Sequence, residues 1–201
     1  MLYLDDFTTG KEISLGHYTV SEKEIIDFAK DYDFQDFHID PEAAKRSVFG
    51  GLIASGWHTA GICMKLICQA FMTQTACNGS PGIQDLKWLK PVRPGDTLTG
   101  FVRVTGQLPS KSKPDRGASL QHWALQNQDG ETVFCADVTV LMMREPQPVE
   151  QAPVVTATAA TAATQTETTA GSPDRAELEK WRAQAQSLWF NDGSCTGGKS
   201  E

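Results

Sequence analysis

The densest apolar stretch of the chain spans residues 57–71, and its hydrophobic side chains (Trp57, Ile62, Met64, Leu66, Ile67 and Phe71 among them) fall on nearly every side of a helix. A helix apolar on most sides is one that other elements enclose. Ser55 is a good N-cap and makes Gly56 the first helical residue. The enclosing elements follow. Residues 82–90 read as a strand, and 91–96 (PVRPGD) carry turn chemistry. Residues 97–105 alternate with period two, and Gly100 marks a bend or bulge. A polar loop at 109–117 leads to a strand at 118–127, a hairpin turn at Gln128-Asp129-Gly130 and a last strand at 132–143. Successive strands joined by hairpin turns give an antiparallel sheet, and one such sheet rolled round one helix is the economical α+β arrangement.

Upstream, residues 13–20 are rich in β-formers and suggest an edge strand. Ser21 stands three residues before Glu24, the spacing of a capping box, and opens a helix at about 22–31. Asp40-Pro41 starts a second short helical piece, with proline in the first turn. Gly50-Gly51 is a flexible joint before the long helix. The pattern breaks at Glu145, so residues 1–145 form one domain. Residues 146–172 are Ala, Thr, Pro and Gln, too poor in large apolar groups to offset chain ordering, and read as a disordered linker. Residues 173–190 carry Leu178, Trp181, Ala185, Leu188 and Trp189 on one stripe of an amphipathic helix. That helix docks back on its own domain or a dimer mate, or binds a tethered protein partner. Residues 191–201 form a flexible tail.

Composition narrows the function. A net charge of −7 over 201 residues argues against a general nucleic-acid binder, which needs a basic surface. The five cysteines are odd in number and lack CxxC pairing, as expected of a reducing compartment. The N-terminus turns acidic at once, without a basic-then-apolar leader. No apolar run reaches the roughly 20 residues that span a bilayer. A soluble, cytoplasmic protein that leaves membranes alone is the expectation.

Chemistry gathers around Asp33 and His38, five residues apart in a turn-rich segment just before the long helix. An imidazole exchanges protons near neutral pH. The N–H groups at a helix start hold an oxygen that gains negative charge. The stretch Asp33-Phe34-Gln35-Asp36-Phe37-His38, the helix start Gly50-Gly51-Leu52-Ile53-Ala54-Ser55-Gly56-Trp57 and the segment 85–97 together resemble the MaoC-like (R)-specific enoyl-CoA hydratase/dehydratase family. The likeness covers roughly residues 1–145. It departs where Gln35-Asp36 replaces an Asn-Pro pair, and where Met64 stands for a serine two turns into the central helix.

The resemblance implies a hot-dog fold, an antiparallel sheet wrapped around a long central helix. It also implies a hydro-lyase that adds water across a trans-2-enoyl-CoA, in syn fashion, to give the (3R)-3-hydroxyacyl-CoA. Asp33, His38 and Gly56 take the catalytic positions. His38 is the principal base and Asp33 the water-holding and proton-donating partner, or the two exchange roles, and the Gly56 N–H is the donor to the thioester oxygen. Ser55 and Trp57 fall among the substrate-binding positions. The basic loop with Lys111, Lys113 and Arg116 would meet the phosphates of CoA or of a phosphopantetheine carrier. No metal or redox cofactor is implied, CoA being part of the substrate, and a homodimer is expected.

Plainer roles suit the other polar residues. Asp31, Asp36 and Asp40 suit turns and caps. His58 suits a packed core histidine, and His17 and His122 suit strand positions with no evident partner. Two other functions fit the same residues: a hot-dog acyl-CoA thioesterase, and a non-catalytic acyl-CoA-binding or scaffold protein that works through the 173–190 helix.

Overall fold

The computed structural model describes residues 1–146; the expected linker, the 173–190 helix and the tail lie outside the described residues. Three short helices precede the long one. α1 (Glu22–Tyr32) begins at Ser21, whose hydroxyl accepts from the Glu24 N–H at 3.3 Å and donates to the Glu24 carboxylate at 3.0 Å. α2 (Asp36–Ile39) is a single helical turn within the segment expected to be turn-rich. α3 (Pro41–Lys45) starts on Asp40, whose Oδ1 accepts from the N–H groups of Glu42 and Ala43 at 2.8 and 3.1 Å. Proline at the first position costs no hydrogen bond there. α4 (Gly56–Ala70) is the long helix, capped by Ser55.

Six strands follow the expected order with two additions. They are β1 (Glu12–Thr19), β2 (Cys77–Gly79), β3 (Ile83–Trp88), β4 (Thr97–Pro109), β5 (Arg116–Gln126) and β6 (Thr132–Met143). β2 is short and polar, and was not foreseen. β4 runs four residues past its expected end. All pairings are antiparallel, in the order β1-β4-β5-β6-β2, with β3 also on β6. The bulge expected at Gly100 falls instead on its partner strand, between Ser14 and Gly16. Gly16 has φ of +77°, where glycine is unstrained. Gly100 serves close packing, since an added Cβ would lie 3.0 Å from Leu15 Cδ1.

α4 lies on the inner face of the sheet. Ile62, Cys63, Leu66 and Ile67 meet Val102, Val104, Leu125, Phe134, Val138 and Val140 in one core. The expectation of a helix enclosed on all sides is corrected. Trp57 is 61 % exposed and Met64 38 %, because a twisted sheet of this width curls over only one side of a helix. The N-terminal segment closes the far end. Phe7 packs on Phe71 with ring centroids 5.5 Å apart, and Gln107 Nε2 donates to the carbonyls of Leu4 and Phe7 at 2.7 and 2.9 Å. Among the described residues no helix is long and apolar enough to cross a membrane.

Candidate active site

Asp33 is the residue that ends α1, its N–H bonded to the Ala29 carbonyl at 2.9 Å. Two residues on, Gln35 starts the turn that becomes α2, and the His38 N–H returns to the Gln35 carbonyl at 2.8 Å. This local fold brings His38 Nε2 to 3.4 Å from Asp33 Oδ2. His38 is 4 % exposed, and Phe37 packs edge-on against it at 4.5 Å. Its Nδ1 stands 2.8 Å from the Ile53 carbonyl. A carbonyl only accepts, so Nδ1 is assigned a proton, and Nε2 is the ring nitrogen that faces Asp33.

Both oxygens of Asp33 are occupied. Oδ2 accepts from the Ser55 hydroxyl at 2.6 Å, and Oδ1 from Gln35 Nε2 at 2.7 Å. Burial pushes this carboxyl up. The hydrogen bonds from Ser55 and Gln35 and the nearby His38 more than offset it, and the net pKa lies below the ordinary carboxylate value. Asp33 is therefore held as the anion. The strip that carries Ser55 is fixed on two sides. The Ile53 N–H donates to the Phe37 carbonyl at 3.2 Å, and the Ala54 N–H to the Val92 carbonyl at 2.8 Å.

Ser55 is fully buried, and the same Oγ accepts from the Trp57 N–H at 3.2 Å. Ser55, expected among the substrate-binding positions, has its hydroxyl on Asp33 and on the helix cap, where it positions the carboxylate. Gly56, the first residue of α4, has an N–H without an intrahelical acceptor, at the positive end of the helix. A Cβ there would come within 2.6 Å of the Trp88 ring, and the Trp88 indole N–H donates to the Gly56 carbonyl at 2.8 Å. Only glycine fits under that ring. Trp57 stands edge-on to Trp88 with centroids 5.3 Å apart and faces outward beside this helix start.

The basic loop is elsewhere. Trp88, which touches Gly56, pairs with Phe134 on β6, whereas Arg116 pairs with Met143. Nine residues of strand separate the two positions, about 30 Å. The loop with Lys111, Lys113 and Arg116, expected to meet phosphates, opens on the Met143 end of β6. Arg116 makes a two-point contact with Asp115, at 3.0 and 2.9 Å. His122, expected to lack a partner, has its Nδ1 2.7 Å from Asp137 Oδ1 across the β5–β6 pair. The sequence reading also missed Gln35 and Trp88. Gln35 was legible as an amide two residues beyond a helix-ending carboxylate, a common local hydrogen-bond geometry. Trp88 meets Gly56 only through the tertiary fold. Among the described residues, no three His, Cys, Asp or Glu side chains gather as a metal site would require.

A carboxylate oxygen and an imidazole nitrogen 3.4 Å apart are close enough to hold one water molecule between them.

Residues 6–122 match the profile of the family described as the MaoC like domain. The chain is 32% identical over 142 residues to YdeM of Bacillus subtilis, an uncharacterized protein, across 70% of this chain and 99% of that one. It is 36% identical over 111 residues to the (R)-specific enoyl-CoA hydratase of Rhodospirillum rubrum, across 54% of this chain and 74% of the relative. A crystal structure of a MaoC-like dehydratase from Rhodospirillum rubrum superposes with a TM-score of 0.68 at 39% identity, across 73% of this chain and 100% of that one. The (R)-hydratase of A. caviae shares the fold, with a TM-score of 0.54 at 23% identity over 69% of this chain and 97% of that one.

Proposed function

Because the chain belongs to the MaoC-like dehydratase family, we propose that it hydrates a trans-2-enoyl thioester to the (3R)-3-hydroxyacyl thioester, and runs the reverse dehydration. The observation that carries the reading is Asp33, held as an anion by Ser55 and Gln35, facing Nε2 of His38, whose Nδ1 is bonded to the Ile53 carbonyl. The water oxygen bonds to the β-carbon while His38 Nε2 takes one of its protons. The π electrons move toward the thioester oxygen, where the Gly56 N–H receives the developing charge. Removing one such donor costs about 10²–10³ in rate. The imidazolium, steadied by Asp33, then returns the proton to the α-carbon. The proton-donating role expected of Asp33 does not suit a carboxylate kept below its ordinary pKa. Asp33 instead orients the water and steadies the cation.

The named relative supports the (R) stereochemistry. The proposal extends to a cytoplasmic homodimer. Ile83, Trp88, Trp57 and Met64 are exposed apolar residues on β3 and on the open side of α4. An exposed apolar surface of this kind marks an interaction site. Light scattering that returns a monomer at micromolar concentration ends that part of the reading.

The test of the chemistry follows loss of enoyl-thioester absorbance and release of thiol side by side, for wild type, Asp33→Asn and His38→Ala. Enoyl loss that either change abolishes is the expected result. Thiol release in its place means a thioesterase, and binding without either signal means a scaffold.

A further inference from the structure

Behind the first turn of α4 lies a second imidazole–carboxylate pair that the reaction leaves unused. His58, third residue of α4, is 9 % exposed and stacks on Phe28 of α1, with centroids 4.9 Å apart and planes 12° apart. Its Nε2 stands 3.7 Å from Oε1 of Glu24, in the first turn of α1, beyond hydrogen-bond range. Glu24 Oε1 and His58 Nδ1 are both buried without a hydrogen-bond partner. Glu24 Oε2, by contrast, accepts from the hydroxyls of Tyr18 and Ser21 at 3.1 and 3.0 Å. Buried polar atoms are nearly always paired, so one unpaired atom on each member of a pair packed across one helix contact calls for a role.

Their place supplies it. α1 ends in Asp33, and the turn that bears His58 also bears Gly56 and follows directly on Ser55. The Phe28–His58 stack and the Glu24 contact both join α1 to that turn. We infer that Glu24 and His58 are positioning residues for the hydration site, setting α1 against the first turn of α4 so that Asp33 meets Ser55. This rests on the hydratase reading. The pair acts through Asp33 and touches no substrate atom.

The pair also titrates. The groups facing His58 are Glu24 from α1 and Lys65 from α4. Tyr18 from β1 holds Glu24 and carries the Lys65 ammonium 4.2 Å over its ring. Burial lowers the His58 pKa, Glu24 raises it and Lys65 lowers it, for a net fall below 6.5. The positive end of α4 acts in the same direction. As pH falls through the ordinary imidazole range, the unfolded chain takes up this proton first, so stability drops with acid. A proton forced onto the folded His58 draws Nε2 toward Glu24 and shifts α1 on α4. Activity is then lost in acid through His58.

The experiment records kcat and KM of enoyl-thioester hydration between about pH 5 and 8, with imidazole C–H resonances followed by NMR over the same range. Wild type is compared with His58→Phe, which keeps the stack and removes the proton, and with Glu24→Gln. For His58→Phe the expected result is a fall in kcat of about tenfold with KM changed less than about twofold, and one inflection fewer on the acid limb. Glu24→Gln moves the His58 titration to lower pH, since attraction to the imidazolium is gone. It also carries the test should His58→Phe not fold. A His58→Phe enzyme with wild-type kcat and acid limb, whatever its Tm, reduces the pair to packing and overturns the inference. If wild type turns over no enoyl thioester, the hydratase reading fails on its own. The positioning claim is then decided by whether the His38 resonance tracks the His58 titration: tracking supports it and independence overturns it.

Discussion

Replacing Ser55 with alanine removes one oxygen that two parts of the molecule share. Its hydroxyl donates to Asp33 at 2.6 Å and accepts from the Trp57 N–H at 3.2 Å. A hydrogen bond to a charged group contributes about 1.5–3 kcal/mol. The Asp33 side chain is 21% exposed, so water can replace part of that bond, and the lower half of the range applies. Loss of a serine N-cap adds about 1 kcal/mol. The expected cost is about 2–3 kcal/mol, a fall in Tm of about 10 °C. Catalysis falls as well, since Asp33 loses a donor that holds it in place. The Asp33 pKa is lowered in the fold, so its contribution to stability is present above the ordinary carboxylate range and vanishes as pH drops through the lowered value. Ser55→Ala raises that value, so the acid-unfolding midpoint moves to higher pH. Thermal melts and enoyl-thioester kinetics on Ser55→Ala, Asp33→Asn and the double variant read the coupling. In the Asp33→Asn background the serine change should cost only about the 1 kcal/mol of the cap. Full cost in both backgrounds, or wild-type turnover in Ser55→Ala, refutes the shared-oxygen argument.

Gly56→Ala should displace the Trp88 ring, which its Cβ would approach to 2.6 Å. A loss of about 1–3 kcal/mol in a denaturant melt is expected, with a fall in kcat at little change in KM. Charge reversal of Lys111 and Lys113 together should leave KM for an enoyl-CoA within about twofold, since about 30 Å of strand is several screening lengths in ordinary buffer; a large rise in KM would place that loop at the substrate. Burial pushes the Cys63 thiol up to about 12. Iodoacetamide followed by peptide mass spectrometry should modify Cys63 only after unfolding, while half-buried Cys68 and Cys77 react in the native protein.

Where a signal is local, the chain announces it. The Ser21 and Asp40 caps, the turn at residues 91–96 and both ends of β6 follow from neighbouring residues, as does Ser55 opening α4. Where a feature depends on who stands opposite, periodicity is silent. Gly100 was readable as special, but its cause sits on β1, and nothing near Gly100 says that Gly16 makes the bulge. The apolar residues of α4 do not tell which side the sheet takes, so Trp57 and Met64 passed for core. Ser55 and Asp33 lie 22 residues apart with no hairpin between them, and their bond is a product of packing. His122 and Asp137 lie on the two arms of one hairpin. They pair across the hairpin only because the register shifts between Leu125 and Gln126; counting residue by residue from the turn would have set His122 opposite Ala136. For the basic loop, charge alone carries no position; the register of β6 puts it at the opposite end from Trp88.

Trp88 belongs to a border strand and at the same time roofs the first glycine of the long helix. The outermost backbone of the sheet is thus mechanically joined to the donor that would receive the oxygen's charge. Whatever binds that border, a second molecule of this chain included, stiffens or slackens the indole and the amide beneath it together. Specific activity per chain should therefore vary with protein concentration, even when every chain is fully folded.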